Sequence, residues 1–218
     1  SRDPRLQMAV ITPYAQYNGA SSGIAHTYTL RWPYRGSDSA EPFDIRTDTN
    51  DKFYYLWRKF VPEGLEQTER DTYGLDIPLI RYAEVLLLKA EALNEWGSTH
   101  ESEAIRCVNE VRRRAGHVEL NNATYPATKV NGQSDLRERI RNEYYWEIGG
   151  EDSMYFHELR WGTWKDKKFD NNRNGLMQMW GETTYTWYWL GDQCWSWPIP
   201  AKEMEMNSNL EQNEGWIN

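Results

Sequence analysis

Cysteine is nearly missing from this chain. Cys107 and Cys194 are the two in 218 residues, so the fold does not rest on a disulfide framework. Cys107 falls among Ala104 and Val111 at helical spacing, which predicts a small buried hydrophobe; a bridge to Cys194 stays open. Histidine is as sparse, with four residues scattered at His26, His100, His117 and His157, and no CxxC or paired-histidine spacing occurs. That argues against zinc. Long apolar runs are missing too: the strongest is Val85 to Leu88, against the roughly 20 residues a helix needs to cross a bilayer, and no leader pattern precedes Ser1. Positive charge is in deficit, with 25 Lys and Arg against 33 Asp and Glu for a net charge of -8. An acidic chain with no basic stripe is a poor partner for nucleic acid or an anionic membrane. No Pro/Gly/Ser linker or charge run divides the sequence, so one domain over residues 1–218 is expected, ample for a buried core.

What is present is a helix pair. Over residues 78–96, Leu79, Ala83, Leu86, Ala90 and Leu93 recur on one face, widened by Tyr82 and Leu87. Pro78 suits the first helical position and Gly97 the left-handed cap. Val85 to Leu88 is apolar all round, which predicts neighbours on more than one side. A second helix is expected over about 102–115, with Ala104, Val108, Val111 and Ala115 inward, Ile105 beside them and Gly116 closing it. The short link through Ser98 and Thr99 predicts antiparallel packing, and the small residues permit the close approach of a tetratricopeptide-like pair (78–116).

Around this pair the chain is irregular. Met8 to Thr12 reads as a short strand, and the stretch to about Thr72 is rich in Gly, Ser, Asp, Asn and rings: Tyr14, Tyr17, Tyr28, Trp32, Tyr34, Tyr54, Tyr55 and Trp57. Residues 117–133 read as a loop. Ser134 is placed to cap a third helix with Leu136, Ile140, Tyr144 and Ile148 inward and Gly149-Gly150 at its end, and a short fourth helix is expected over Ser153 to Leu159. Thr183 to Leu190 has strand composition, which would set Trp187 and Trp189 on one face and Tyr188 with Leu190 on the other, before a turn at Gly191-Asp192. Pro198 and Pro200 stop it, and one helical turn is expected from Ala201 to Asn207.

Glu143, Glu147 and Glu151 stack on one face of the third helix, where like charges cost a few tenths of a kcal/mol per pair. Facing a second acid they would suit a glycosidase. The better reading is a structural ion network with Arg113, Arg114, Arg139 and Arg160, because catalysis needs a partner geometry that spacing does not supply.

The run Ile80 to Leu87, then Ala90 to Glu95, then Asn109 to Gly116 resembles the SusD/RagB family of surface nutrient-binding lipoproteins. Asp3-Pro4-Arg5-Leu6, Arg58-Lys59-Phe60-Val61, and Trp197-Pro198-Ile199-Pro200 followed by Glu203, Asn207, Leu210, Gln212, Asn213 and Gly215 resemble further family motifs in the same order. The match departs at Tyr144, where the family has Arg, and over Glu151 to Trp161, which keeps only the end of the family segment. The resemblance implies a mainly α fold with long loops and a few short strands: a tetratricopeptide-like helix pair plus an irregular, loop-rich C-terminal subdomain (117–218). It also implies that the chain is the C-terminal portion of a longer protein, lipid-anchored on the outer face of a Gram-negative outer membrane, that captures oligosaccharides or peptides for a TonB-dependent, SusC-like transporter and is not an enzyme.

Twelve Trp and fourteen Tyr in a chain of mean hydropathy -0.88 fit that expectation. A sugar presents C–H groups to a ring face and hydroxyls to Asn, Asp, Gln and Arg at the rim. Protein-binding surfaces use the same residues. The candidate ligand-binding residues are Tyr28, Trp32, Tyr34, Trp187, Tyr188 and Trp189. No cofactor is expected, although Asp48 to Asp51 would suit weak calcium binding. Two further readings are a helical interaction module contacting the transporter or a peptide, and a secreted glycosidase.

Overall fold

The computed structural model of the chain describes residues 3–12, 15–21, 24–31, 44–46, 56–59, 63, 76, 78–151, 153–169 and 189–216. They divide into two compact units, Ser1–Met154 and Tyr155–Asn218.

In the first unit, the stretch expected to be a strand from Met8 opens instead as a short helix, α1 (Arg5–Ala9), before strand β1 (Val10–Ile11). Asp3 starts that helix: its carboxylate accepts the Arg5 N–H at 2.9 Å, turning the chain before the strand can extend. The polar stretch that follows forms an antiparallel hairpin of β2 (Gln16–Ser21) and β3 (Ile24–Arg31), with Tyr17 opposite Tyr28, and β4 (Asp44–Arg46) adds in parallel to β3. β5 (Leu56–Trp57) pairs antiparallel with β1, setting Trp57 across from Val10.

Helix α2 (Tyr82–Trp96) begins four residues later than Pro78 suggested, with Leu79 88% exposed. Arg81 is the reason. Its extended backbone (φ -111°, ψ 152°) aims the side chain at Glu147 and Glu151, so the helix cannot run through it. Gly97 ends α2 at φ 137°, ψ 172°, a positive-φ extended conformation only glycine tolerates well, and a 3-10 turn (Ser98–His100) leads into α3 (Glu101–Arg114). α3 closes in a Schellman motif: Gly116 at φ 69° lets its N–H reach the Arg113 carbonyl while the His117 N–H reaches that of Arg112 at 2.8 Å. This turn sets the position of His117.

The α2–α3 pair packs with α4 (Gln133–Ile148), which starts after Gly132 and so places Ser134 inside its first turn instead of at the cap. Leu86, Leu87, Ala90 and Leu93 on α2 and Ala104, Ile105, Val108 and Val111 on α3 are buried where the two helices pack, and the whole predicted row Leu136, Ile140, Tyr144 and Ile148 is fully buried. Each such Leu or Ile contributes about 1.5–3 kcal/mol by leaving water. Tyr82, Val85, Leu88 and Trp96 on α2 remain exposed. Between α3 and α4, Asn109 clips the connecting segment by accepting the Leu120 N–H and donating to its carbonyl, which buries Leu120. Both cysteines are free thiols, Cys107 buried on α3.

The boundary between the units falls within the first turn of α5 (Ser153–Arg160), and the second unit contains the rest of that helix, α6 (Trp164–Phe169), a 3-10 turn (Asp192–Trp195) and α7 (Ala201–Met206). In Pro198-Ile199-Pro200 only Ile199 has an N–H to give. The Gln212 amide takes it at 2.7 Å and returns a donor to the Ile199 carbonyl at 2.9 Å, while Asn213 donates to the Trp197 carbonyl. The C-terminal signature is therefore a side-chain clip on a proline-interrupted segment.

Candidate ligand-binding site

The three acids on α4 form the base of a site in the first unit. Glu143 pairs with Arg5 at 2.7 Å and Arg112 at 2.7 Å. Glu147 takes Arg5 and Arg81, each at 3.0 Å, and Arg114. Glu151 takes Arg81 at 2.8 Å and Lys59 at 2.9 Å. The ion network is as expected, and of the arginines expected in it the contacts of the described residues bring in Arg114. Arg113 pairs with Glu119, Arg139 with Asp135, and Arg160 bonds His157. Lys59 also donates to the carbonyls of Glu147 at 2.7 Å and Gly149 at 3.0 Å, satisfying the C-terminal end of α4. Burial would raise the Glu147 carboxyl, but hydrogen bonds from Arg5 and Arg81 and the charge of Arg114 hold it below its usual range. Asp3 behaves alike, its burial outweighed by Arg5.

Above this base lies a hollow of about 520 Å³, walled by Trp57, Tyr145, Trp146 and His117, with Asp3 and Arg5 as polar groups. The fold sets each wall. β5 carries Trp57 in by pairing with β1, and its ring lies on Gly150, where an added Cβ would stand 2.7 Å from Trp57 Cζ3. Gly150 also sits at φ 84°, so glycine is required there twice over. Trp146 is held between the Arg112 guanidinium, 5.7 Å from its ring centre, and the tilted His117 ring at 5.8 Å. Trp57 and Trp146 nevertheless stay 55% and 42% exposed, so both offer ring surface to a ligand. His117 Nε2 lies 3.8 Å from Asp3 Oδ2, and burial pushes the ring's pKa down against the pull of that carboxylate. Its Nδ1 is buried without a hydrogen-bond partner among the described residues. Such an arrangement can stack a flat C–H surface and hydrogen-bond its rim.

The SusD family profile matches residues 1–216. The chain belongs to the SusD family. It is 32% identical over 139 residues to SusD-like protein P38 of Formosa agariphila, covering 63% of this chain and 24% of that protein. To the starch-binding protein SusD of Bacteroides thetaiotaomicron it is 28% identical over 161 residues, 73% of this chain and 25% of that protein. The chain thus spans about a quarter of the length of these curated relatives. Among solved structures, a SusD-like protein from Bacteroides fragilis aligns at TM-score 0.68 and 20% identity over 99% of this chain and 39% of its own. A SusD homolog from B. thetaiotaomicron aligns at TM-score 0.64 and 23% identity, covering 98% and 41%. These likenesses support the mainly helical SusD fold with its tetratricopeptide-like pair.

Of the ring residues singled out in this SusD-family sequence, Trp32, Tyr34, Trp187 and Tyr188 lie outside the described residues, as do Asp48 to Asp51 and most of the strand expected over Thr183 to Leu190. Residues 189–190 have no strand. Tyr28 sits in β3, where its backbone alone is described. Trp189, in the second unit, tilts against Trp195 at 5.0 Å, carries the Lys165 ammonium 5.4 Å from its ring centre, and donates to Asp192 at 3.4 Å. Among the described residues no group of three or more His, Cys, Asp or Glu is arranged to hold a metal. Asp3, Arg5, His117, Tyr145 and Trp146 were not singled out as ligand contacts. One signal was available: Tyr144-Tyr145-Trp146 puts three successive rings about 100° apart on a helix, so they cannot all face the core.

Proposed function

We propose that this chain is part of a cell-surface, lipid-anchored protein of a Gram-negative outer membrane that binds oligosaccharide nutrients and passes them to a SusC-like, TonB-dependent transporter, without catalysis. The observation that carries the reading is the ring-walled hollow of Trp57, Tyr145 and Trp146 with Asp3, Arg5 and His117 at its polar side, in a chain that belongs to the SusD family. The relatives' names support it, since one is a starch-binding protein and a solved neighbour from B. fragilis at TM-score 0.57 is a SusD-like carbohydrate binding protein. Glu143, Glu147 and Glu151 are each held by two or three cations, which fits a scaffold and not an acid and base set apart for catalysis. Tyr28, Trp32, Tyr34, Trp187, Tyr188 and Trp189 are proposed as further ring contacts. The second reading, an interaction module contacting the transporter or a peptide, is favoured by the exposed Tyr82, Val85, Leu88 and Trp96 on α2.

A titration of intrinsic Trp fluorescence with plant, host and microbial oligosaccharides separates the two. The glycan reading expects saturable quenching, weakened in Trp57→Ala and Trp146→Ala with helical content retained. Binding to the isolated transporter that survives these substitutions, with no response to any oligosaccharide, would count for the interaction module.

A further inference from the structure

A second hollow, of about 330 Å³, shares Arg5 and Trp146 as walls with the first and differs from it in charge. Its lining holds four cations, Arg5, Lys59, Arg81 and Arg114, against two carboxylates, Glu147 and Glu151. The imbalance survives when the buried partners are included. Among the described residues, Arg5, Lys59, Arg81, Arg112 and Arg114 face Asp3, Glu143, Glu147 and Glu151, five against four. In a chain of net charge -8, this is a local surplus of positive charge.

The surplus can be assigned to one side chain. Lys59 spends its three N–H donors on Glu147 O, Gly149 O and Glu151 Oε1. Arg81 uses Nε, Nη1 and Nη2, and Arg5 does the same. Arg112 is buried beneath Trp146 with its donors on Glu143 and Val118. Arg114, the last residue of α3, is different. It engages Glu147 through Nη2 alone, which leaves Nε and Nη1 free among the described residues, and its side chain is 59% exposed. Each free N–H lies on a different edge of the guanidinium, and a charge-assisted bond from either favours a carboxylate over a hydroxyl. Beside it stands Trp146, whose ring is shared with the apolar hollow.

We infer that the sugar taken by this site is acidic: a uronate-containing oligosaccharide whose ring stacks in the hollow of Trp57, Tyr145 and Trp146 while its carboxylate sits on Arg114. This deepens the glycan-binding reading and rests on it. The charge on the ligand would neutralise the one cation that the acid ladder leaves over, and nothing comparable would reward a neutral sugar.

The test compares a uronate-containing tetrasaccharide with its carboxyl-reduced counterpart, by fluorescence titration and calorimetry, on the chain and on three variants. The expected result is tighter binding of the uronate by roughly tenfold to a hundredfold, the usual worth of a charge-assisted hydrogen bond to an ionised group. Arg114→Ala should abolish that preference, Arg114→Lys should restore part of it, and Arg113→Ala, which removes the neighbouring exposed charge paired with Glu119, should keep it whole. Unchanged far-ultraviolet dichroism and melting of Arg114→Ala separate a lost contact from a lost fold. Equal binding of both sugars, or a preference that persists without Arg114, overturns the inference and leaves glycan binding standing. Binding of neither sugar removes both, as does capture of an acidic peptide in place of either.

Discussion

Along α4, Leu136, Ile140, Tyr144 and Ile148 are buried, and so on the adjoining edge of the same helix are Glu143 and Glu147. The two rows are closed to water by opposite physics. The apolar row is held by non-directional packing against α2 and α3, and any well-shaped hydrocarbon of similar volume would serve. The acidic row is held by named partners: Arg5 from α1, Lys59 beside β5, Arg81 before α2, and Arg112 and Arg114 from α3. Buried pairs add little net stability over an apolar substitute, because desolvation offsets most of their attraction. Breaking one is another matter. The apolar row therefore supplies stability, whereas the acidic row ties distant segments to one helix edge and makes their loss expensive.

The largest effect is expected at Arg5. Arg5→Ala strips a partner from Glu143 and Glu147 at once and should cost about 3–5 kcal/mol in urea unfolding, the usual penalty for removing one side of a buried ion pair. A cost below that of an apolar truncation would break the comparison. Acid should act next. Asp3 and Glu147 are held below their ordinary values of 3.8 and 4.5, so their contribution is present above those values and lost as pH falls through the depressed folded ones. His117 is pushed below its ordinary 6.5, so the unfolded chain takes up its proton first and stability already falls as pH drops through that value. Urea midpoints should therefore decline from neutral pH downward, and Arg5→Ala should flatten the carboxylate part of the decline. Ile140→Val, in the other row, should cost about 0.5–1.5 kcal/mol, with the same increment at pH 7 and pH 5. Arg113→Ala, whose pair with Glu119 is exposed, should leave the midpoint where it was.

The two rows also differ in how much of them could be read beforehand. Leu136, Ile140, Tyr144 and Ile148 announce themselves by a local period, as do Leu86, Ala90 and Leu93, and Gly116 and Gly149 mark ends that the structure keeps. The acids were visible as a ladder, and the network as its resolution. Their partners were not, because pairing is decided by tertiary position: Arg139, one turn from Glu143, turns to Asp135, and Arg113, set between Arg112 and Arg114, turns to Glu119. The β2–β3 hairpin escaped for another reason. Gln16-Tyr17-Asn18-Gly19-Ala20-Ser21 alternates too weakly in hydrophobicity to separate from a loop. The hollow was illegible as a unit, since Asp3 and Arg5 meet Tyr145 and Trp146 only through the folded chain.

Arg5 and Glu147 are separated by 142 residues. Closing a loop of that length is entropically unfavourable until α4 exists to receive the arginine, so the contact belongs to the late, non-local part of folding. During synthesis from the amino terminus, Asp3, Arg5 and Trp57 emerge long before Tyr145, Trp146 and Gly149 do, and the cavity they share has no walls in the interval. A chain cut short before residue 145 would carry Trp57 and His117 but neither Tyr145 nor Trp146, so the hollow exists only once α4 has joined the segments that precede it.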